Sequence, residues 1–427
     1  METPLMRGSA MRIIADLHIH SKYSRATSRD MDVATLARWV RRKGVNLLGT
    51  GDFTHPTYFA ELSHHLQPAE DGLYVLKAGE QSVRFMLTVE IANVYVQAGR
   101  QRRIHTLVFA PSFEVVRRIN GRLSRMGKLS SDGRPMFGFP ASDLAKLVLD
   151  ISPDCFVVPA HAWTPWYSVF GANSGFDSIE ECYGESARQI HAIETGLSSD
   201  PAMNWRWSAL DRVALISNSD AHSPSRIARE ANVFECEMSY RAVLDAVRTN
   251  DPTRFLFTIE FFPEEGKYHY DGHRSCGVLF SPAQTRRAAE ICPVCGKRVT
   301  VGVMNRVESL ADRPEGYVRG RAIPGKHLVP LQEIIAEALG VGVETGGVER
   351  EYQRVTHEGG SELAILLDCP ITELARFCPP KILEGIRRAR EGRLSITPGY
   401  DGVYGVVKIF GEDTETRNPA AEQLALI

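Results

Sequence analysis

Short apolar runs recur between residues 11 and 250, and helix-like stretches separate them. Near-continuous apolarity is typical of strands that are buried on both faces of a parallel sheet. The stretch over residues 31–43 has helical spacing, and Gly44 after it is a helix stop signal. Seven such units predict an α/β fold built on a distorted, TIM-like βα barrel of seven strands. The predicted strands cover residues 13–15, 45–48, 85–89, 104–108, 155–158, 190–193 and 214–216.

Residues of the types that bind metals follow these runs, at the strand ends where barrel enzymes hold their chemistry. After the first run, Asp16, His18 and His20 alternate, so an extended strand would direct all three to one face. Asp220 and His222 repeat the same spacing after the last run. Between them come Asp52, His55, Glu90, His105, His161 and Glu194.

Imidazole and carboxylate donors in this mixture suit Zn²⁺, Mn²⁺, Mg²⁺ or Fe²⁺. We predict two or three such ions that share bridging carboxylates, in a centre of the kind that hydrolyses phosphoesters. The candidate catalytic carboxylates are Asp220, Asp52 and Glu90. Some members have structural alternatives, since His105 is compatible with a core histidine and Glu194 with a salt-bridged acid. Asp16 either binds an ion or only orients the two histidines.

The length of 427 residues is too great for one compact core, so two or more domains are expected. Lys plus Arg, 50, nearly balance Asp plus Glu, 52, so any basic surface for nucleic acid must be local. No apolar stretch approaches the roughly 20 residues that span a bilayer, and the first residues lack a secretory signal. We therefore expect a soluble, cytoplasmic protein with no membrane partner and a leader over residues 1–10.

A second metal site is predicted in the segment that follows the barrel. Two residues separate Cys292 from Cys295, and two residues also separate His273 from Cys276. One histidine and three cysteines together form a closed structural Zn²⁺ site. His269 is an alternative to His273, because the stretch between them is expected to be flexible.

Changes in composition divide the chain into four segments. They are a metallohydrolase barrel over residues 11–260, a zinc-binding module over 261–305, a mixed, mainly helical C-terminal domain over 306–410, and a flexible tail over 411–427. Helical spacing in the third segment is clearest over residues 328–339, before Gly340, and over residues 379–390.

Several motifs resemble those of the polymerase and histidinol phosphatase (PHP) superfamily. They are Asp16-Leu17-His18-Ile19-His20-Ser21, Gly49-Thr50-Gly51-Asp52, Glu90, Pro159-Ala160-His161 and Asn218-Ser219-Asp220-Ala221-His222. The resemblance covers residues 11–250 and implies a distorted βα barrel with a trinuclear metal site that hydrolyses phosphoesters. The ligands that it implies are His18, His20, Glu90, His105, His161, Asp220 and His222. Where the superfamily commonly has Asp-His, this chain has Asp52-Phe53, so either Asp52 or His55 supplies that ligand.

The complete arrangement resembles the endonuclease Q family over residues 11–410. Besides the barrel motifs, the resemblance is carried by residues 271–276 and 292–297 and by Ala311-Asp312-Arg313-Pro314-Glu315-Gly316. It implies a DNA-repair endonuclease that nicks DNA on the 5′ side of deaminated bases (uracil, hypoxanthine, xanthine) or abasic sites. Double-stranded DNA is then the expected partner, with a replication sliding clamp as a further candidate and a monomer as the expected form.

An endonuclease that inspects a base must flip it into a pocket with a stacking surface and polar groups. The loop over residues 162–175 is rich in aromatic and small polar residues, and packing over the barrel is its alternative interpretation. Basic residues after the first motif suit a phosphate backbone. The candidate substrate-binding residues are Tyr23, Arg25, Trp163, Trp166, Tyr167, Asn173 and Ser174.

Two other functions compete with a repair nuclease. A small-molecule phosphoesterase of the histidinol phosphatase type would share the barrel, but it would have no use for the segments after residue 260. A non-catalytic DNA-binding scaffold would have a degenerate metal site, which the nearly complete ligand set disfavours.

Overall fold

The computed structural model describes residues 9–411, so almost all of the predicted leader and tail lies outside the described residues. The strands are β1 Met11–Asp16, β2 Leu47–Gly49, β3 Leu66–Pro68, β4 Tyr74–Leu76, β5 Arg84–Gln97, β6 Arg100–Ala110, β7 Met136–Phe137, β8 Phe156–Pro159, β9 Ala192–Glu194, β10 Ala214–Ile216, β11 Ala231–Cys236, β12 Phe255–Glu260, β13 Asp271–His273, β14 Val278–Phe280, β15 Gly325–His327, β16 Ser395–Thr397 and β17 Val406–Lys408. The α-helices are α1 Val33–Lys43, α2 Pro56–His65, α3 Phe113–Leu123, α4 Ala141–Ile151, α5 Ile179–Tyr183, α6 Pro201–Trp205, α7 Tyr240–Thr249, α8 Pro282–Arg287, α9 Val303–Leu310, α10 Leu331–Leu339, α11 Gly346–Gly359, α12 Ile371–Leu374 and α13 Pro380–Arg390.

The main sheet is mixed rather than parallel. Its strands run in the order β15-β12-β11-β1-β2-β5-β4-β3, while β6 and β7 also pair with β5, and β8 pairs with β6. The pairs β1–β2 and β2–β5 are parallel, whereas β5–β6, β6–β8 and β1–β11 are antiparallel. Strands β9 and β10 form a separate parallel pair. The α/β class agrees with the prediction, but these pairings correct the expected TIM-like, parallel arrangement of seven strands.

One tight turn accounts for much of this difference. Ala98 and Gly99 join β5 to β6 with φ values of 50° and 72°, the left-handed pair that a two-residue hairpin turn requires. The chain therefore turns back at once where a βα unit would place a helix. The hairpin brings Glu90 of β5 and His105 of β6 onto neighbouring strands.

Local sequence signals fix where the helices begin and end. Helix α1 begins after Asp32, whose carboxylate accepts hydrogen bonds from two backbone N–H groups of the first turn. It ends at Gly44, which has a φ of 90° and so allows the left-handed termination. Its apolar face buries Leu36 and Val40 in the main core. No helix among residues 9–411 is both long and apolar enough to cross a bilayer.

The C-terminal part has an apolar core of its own but is joined closely to the main sheet. Helices α10, α11 and α13 supply fully buried residues to this core. Strand β15 pairs in parallel with β12, and α9 crosses the predicted boundary between residues 305 and 306. Lys43 of α1 forms a buried ion pair with Glu362, at 2.7 Å. The sheet that carries the candidate site is thus held by both parts of the chain.

Candidate metal centre and substrate cavity

Seven side chains form three overlapping groups with the arrangement of metal ligands. Within each group, the candidate ligand atoms lie within 4.8 Å of one another. The groups are His18 with His20 and Glu90, His20 with Asp220 and His222, and Glu90 with His105 and His161. These seven residues are also the ligand set that the PHP resemblance implies.

Glu90 lies at the middle of the centre and is shared by two groups. Its Oε1 is 2.6 Å from His105 Nδ1 and 3.0 Å from His161 Nε2. Its Oε2 is 3.3 Å from His20 Nε2 and 3.8 Å from His18 Nε2. Each oxygen therefore faces a different pair of histidines.

Two outer carboxylates orient the first two histidines. His18 Nδ1 lies 3.0 Å from Glu194 Oε1, and His20 Nδ1 lies 3.1 Å from Asp52 Oδ1. A carboxylate on Nδ1 fixes the ring so that Nε2 is directed toward the centre.

Three buried ligand atoms of the centre have no hydrogen-bond partner among the described residues. They are Nε2 of His18, Nε2 of His20 and Oδ1 of Asp220. His20 Nε2 and Asp220 Oδ1 approach to 3.1 Å, but not with hydrogen-bond geometry. Buried polar atoms rarely remain unpaired, and divalent cations suit this set of nitrogen and oxygen donors. The residues present therefore fit a metal centre.

Asp16 supports the loop that carries Asp220. Its two carboxylate oxygens accept hydrogen bonds from the backbone N–H groups of Ser219, at 3.1 Å, and Ala228, at 3.0 Å. Asp220 itself has a φ of 47°, a conformation that residues other than glycine rarely adopt unless the surroundings enforce it. Of the alternatives for Asp16, the structure favours a supporting role over metal binding.

A cavity of about 760 Å³ opens beside the centre. Part of its wall is formed by His105, His161 and Asp220, and another part is aromatic. Trp166 and Tyr268 meet edge to face with ring centres 5.8 Å apart. The Lys267 ammonium lies 5.8 Å from the Tyr268 ring and 5.6 Å from the ring of Tyr404. The remaining lining residues include Tyr167, Thr164, Arg226, Arg229 and Glu333.

Solved structures with this fold identify the family. The lesion-specific endonuclease PfuEndoQ from Pyrococcus furiosus is 32% identical, has a TM-score of 0.84, and matches over 98% of this chain and 99% of its own. The chain belongs to the endonuclease Q family. A second member, solved in complex with a 27-mer duplex that has an abasic lesion at the active site, is 32% identical with a TM-score of 0.81. That match covers 96% of this chain and 100% of the other.

Sequence relatives of this endonuclease Q family member include two uncharacterised proteins. YqxK of Bacillus subtilis is 30% identical over 414 residues, which are 93% of this chain and 99% of YqxK. MJ0043 of Methanocaldococcus jannaschii is 31% identical over 263 residues, which are 60% of this chain but only 32% of MJ0043. A family model described as the MJ0043 C-terminal domain matches residues 330–393.

Two residues predicted as ligands occupy outer positions in this endonuclease Q family member. The Asp52 Oδ2 accepts hydrogen bonds from the backbone and hydroxyl of Ser21, both at 2.6 Å, and from the Ser24 hydroxyl at 2.8 Å. Glu194 accepts the backbone N–H of His161 at 2.8 Å and the Asn218 amide at 2.9 Å. These bonds saturate both carboxylates, and neither belongs to a ligand group. The ligand predictions for Asp52 and Glu194 are corrected accordingly.

His55 is the other alternative for the second motif, and it belongs to none of the ligand groups among the described residues. Its Nδ1 accepts the Tyr58 backbone N–H at 3.4 Å, at the start of α2. Its ring stacks on Tyr23 with centres 4.4 Å apart. The geometry of the ligand groups therefore supports neither Asp52 nor His55 as a ligand.

The predicted substrate-binding residues divide into two sets. Trp166 and Tyr167 line the cavity, whereas Asn173 is exposed outside it. Trp163 is only 1% exposed, and its indole N–H donates to Asn204 at 2.8 Å. Ser174 is buried, and its hydroxyl donates to the Arg103 carbonyl at 3.4 Å. These surroundings correct the predictions that Trp163 and Ser174 contact substrate.

Tyr23 and Arg25, which follow the first motif, have different surroundings from each other. The Tyr23 hydroxyl donates to Glu61 at 2.5 Å, and its ring is covered by His55. The Arg25 side chain is 88% exposed, and its Nε lies 3.9 Å from Asp132 Oδ2.

Three residues at the site were missed by the sequence-based predictions. They are Arg134, whose guanidinium contacts Glu90 at 2.9 Å, and the cavity residues Lys267 and Tyr268. The last two come from a segment far along the chain from the metal motifs, as does Tyr404, which also lines the cavity. Arg134 lies in Ser131-Asp132-Gly133-Arg134-Pro135. The turn-forming residues of this segment could have indicated a loop near the site, but not its contact with Glu90.

The predicted zinc ligands come together in a second cluster. Their candidate ligand atoms lie within 4.8 Å of one another, and they are His273, Cys276, Cys292 and Cys295. Burial raises the pKa of the Cys292 thiol, but backbone N–H groups and His273 outweigh it and lower the pKa to about 6. Such a thiol is readily deprotonated, as metal binding requires. His269 is buried apart from this group, so the structure favours His273 over His269.

Proposed function

We propose that this chain is a metal-dependent endodeoxyribonuclease that nicks double-stranded DNA on the 5′ side of abasic sites and of deaminated bases. The observation that carries the proposal is the trio of ligand groups, which share Glu90 and His20 and border a cavity with an aromatic wall. The relative solved with an abasic duplex supports the choice of substrate. A small-molecule phosphoesterase would need neither the aromatic wall nor the second metal cluster.

The seven ligand residues would hold two or three divalent cations, Zn²⁺, Mn²⁺, Mg²⁺ or Fe²⁺, which when bound activate water and neutralise charge that develops on a phosphate. Glu194 and Asp52 lie 3.0 Å and 3.1 Å from Nδ1 of His18 and His20. A proton on Nδ1 of each ring would leave the lone pair on Nε2, as metal binding requires. Burial opposes ionisation of Glu90, but His105 and Arg134 hold its pKa well below the usual range. Glu90 is therefore a carboxylate at neutral pH.

The cavity offers a place for an extrahelical nucleotide. Trp166 is 42% exposed and presents an aromatic surface within the cavity, as do Tyr167 and Tyr268. Stacking on such surfaces is worth about 1–3 kcal/mol per base and tolerates different bases. That tolerance suits an enzyme that accepts several deaminated bases, while an abasic site lowers the cost of flipping.

The second cluster would hold one structural Zn²⁺ ion. Its module is joined to the cavity wall, because the Tyr268 carbonyl accepts the Val303 backbone N–H at 2.8 Å. Asp271 accepts the backbone N–H of Gly302 at 2.6 Å and the Asn305 amide at 2.7 Å. A metal-stapled module would therefore keep Tyr268 and Lys267 in place beside the metal centre.

The proposal is tested by nicking assays on duplexes with one uracil, hypoxanthine, abasic or undamaged site. We expect cuts 5′ to each lesion, with 3′-hydroxyl and 5′-phosphate ends, and none in the undamaged duplex. Asp220→Ala should lower the rate by at least about 10²-fold, the loss typical of damaged metal sites. Asp150→Ala, on the exposed face of α4, is the matched control. Activity on a phosphomonoester but not on damaged duplexes would refute the proposal, and so would full activity of Asp220→Ala.

A further inference from the structure

Arg134 extends into the metal centre from a segment outside the recognised motifs. Its Nη1 donates to Glu90 Oε2 at 2.9 Å, and its side chain is 26% exposed. Within residues 9–411, the guanidinium makes no other hydrogen bond. One edge of the guanidinium is thus engaged by a shared ligand, while its remaining N–H groups are not committed to the protein.

The backbone around Arg134 is fixed on both sides. The Asp132 carboxylate accepts the backbone N–H groups of Arg134, at 3.1 Å, and Arg25, at 3.3 Å. The Pro135 carbonyl accepts the Ala92 N–H at 3.0 Å, and β7 then continues beside β5. The segment is therefore tied to the strand that carries Glu90 and to the loop after β1.

Gly133 allows this segment to pass directly over the second motif. A Cβ atom at Gly133 would lie 2.3 Å from Asp52 Oδ2 and 2.4 Å from Ser24 Oγ, which excludes every other residue without movement. The Gly133 N–H donates to the Tyr23 carbonyl at 3.0 Å. This close contact brings the next residue, Arg134, to the centre.

An ion pair that only orients Glu90 would not require a partly exposed arginine. Both Glu90 oxygens already face histidine pairs, and bound cations would supply the positive charge that this carboxylate needs. Guanidinium groups, in contrast, are suited to phosphate because their planar fork donates several parallel hydrogen bonds. Donors aimed at oxygens that gain charge in a transition state typically contribute about 10²–10³ in rate.

We propose that Arg134 is a catalytic residue that binds a non-bridging oxygen of the scissile phosphate while Nη1 stays on Glu90. This inference rests on the proposed function. In the hydrolysis, the water oxygen forms the new bond to phosphorus and gives up one proton to solvent, the bond from phosphorus to the 3′ oxygen breaks, and the 3′ oxygen takes up one proton from solvent and leaves as a hydroxyl. Arg134 stays protonated throughout and transfers no proton.

The test uses the full-length, metal-loaded protein and an abasic duplex under single-turnover conditions. Arg134→Ala should lower the nicking rate by about 10²–10³-fold, with metal content unchanged and the DNA Kd changed by no more than a few-fold. Arg134→Lys should recover part of the rate, because it restores charge without the fork. Arg241→Ala, at an exposed position of α7 that does not line the cavity, is the charge-matched control.

A phosphorothioate at the scissile linkage distinguishes an arginine that contacts the phosphate from one that only supports Glu90. Replacing the oxygen that Arg134 binds should slow the wild type more than it slows Arg134→Ala. Loss of bound metal in both Arg134 variants would mean that the arginine only supports Glu90, and the inference would fail. Rates of both variants within about three-fold of wild type would overturn it as well. If the wild type itself does not cut the abasic duplex, the proposed function fails instead.

Discussion

Trp163 and Trp166 are three residues apart and have opposite surroundings. Trp163 packs on Phe170 and Trp207, with ring centres 5.0 Å and 6.1 Å away, inside the main core. Trp166 lies at the cavity and contacts Tyr268. Both tryptophans belong to one loop of mixed composition, so the local sequence could not distinguish them.

Alanine substitutions of the two tryptophans should have different effects, one mainly on stability and the other mainly on activity. Trp163→Ala is expected to lower the free energy of unfolding by about 3–5 kcal/mol, because it empties a filled core position. Trp166→Ala should change it by less than about 1 kcal/mol, as exposed positions do, yet slow the nicking of lesion-containing duplexes. Denaturant unfolding and the nicking assay measure the two effects. If Trp166→Ala is less stable than Trp163→Ala, the assignment of Trp163 to the core and Trp166 to the cavity is wrong.

Donor types in the centre could be predicted from the sequence, but which residues lie in its inner positions could not. His18 and His20 follow from the alternating spacing, although β1 ends at Asp16, and all seven ligand-group residues were among the candidates. Asp52 was predicted to be equivalent to them, because the sequence around Asp52 does not indicate that Ser21 and Ser24 donate hydrogen bonds to its carboxylate. Its φ of 48° is set by tertiary contacts. Inner and outer positions depend on such contacts rather than on spacing.

At the scale of elements, the strands were predicted better than their directions. The apolar runs at residues 85–89 and 104–108 do form strands, but as parts of one long hairpin. Burial on both faces makes antiparallel strands look like parallel ones in sequence. Ala98-Gly99 is a weaker turn signal than Asn-Gly, so the hairpin could not be predicted from this dipeptide.

The end of β12 should make stability depend on pH. Glu260 is fully buried, with one oxygen accepting from Thr195 at 3.2 Å, and burial raises its pKa from 4.5 to about 8. Between these values the folded protein keeps a proton that the unfolded chain releases, so the free energy of unfolding falls as pH rises from 4.5 to about 8.

Glu260→Gln removes this titration and keeps the shape of the side chain. We expect it to reduce the fall in unfolding free energy between pH 5 and pH 9 by on the order of 3 kcal/mol. Urea denaturation at several pH values measures the slope. Parallel curves for the variant and the wild type would show that Glu260 does not hold the proton.

At the scale of the whole molecule, hydrogen bonds and ion pairs join segments that the sequence analysis separates. Arg306 of α9 donates to the carbonyls of Phe170 and Phe176, both at 2.9 Å, in the loop beside the cavity. Arg206 pairs with Glu308, also of α9. The four-segment division therefore stays a prediction, and these contacts join the segments that it separates. Composition changes mark a boundary in sequence without revealing what packs across it.

The second metal cluster provides a test of the contacts that join the zinc-binding module to the cavity wall. Cys292→Ser should remove one equivalent of zinc per chain and lower the nicking rate, because the module supports the aromatic wall of the cavity. Metal analysis and the nicking assay measure this, with Cys369→Ser, a partly exposed cysteine of the C-terminal part, as the control. Unchanged zinc content in Cys292→Ser would rule out the cluster as the zinc site.

Glu90 and His20 each belong to two of the three ligand groups. A residue shared in this way cannot serve one position without altering the charge and geometry offered to the next. With two or three ions bound as proposed, occupancy of the centre would be collective, and each loading step would be thermodynamically linked to the others. At limiting metal, the population would then contain partly filled centres whose affinities differ from that of the full one, and a single dissociation constant would not describe it.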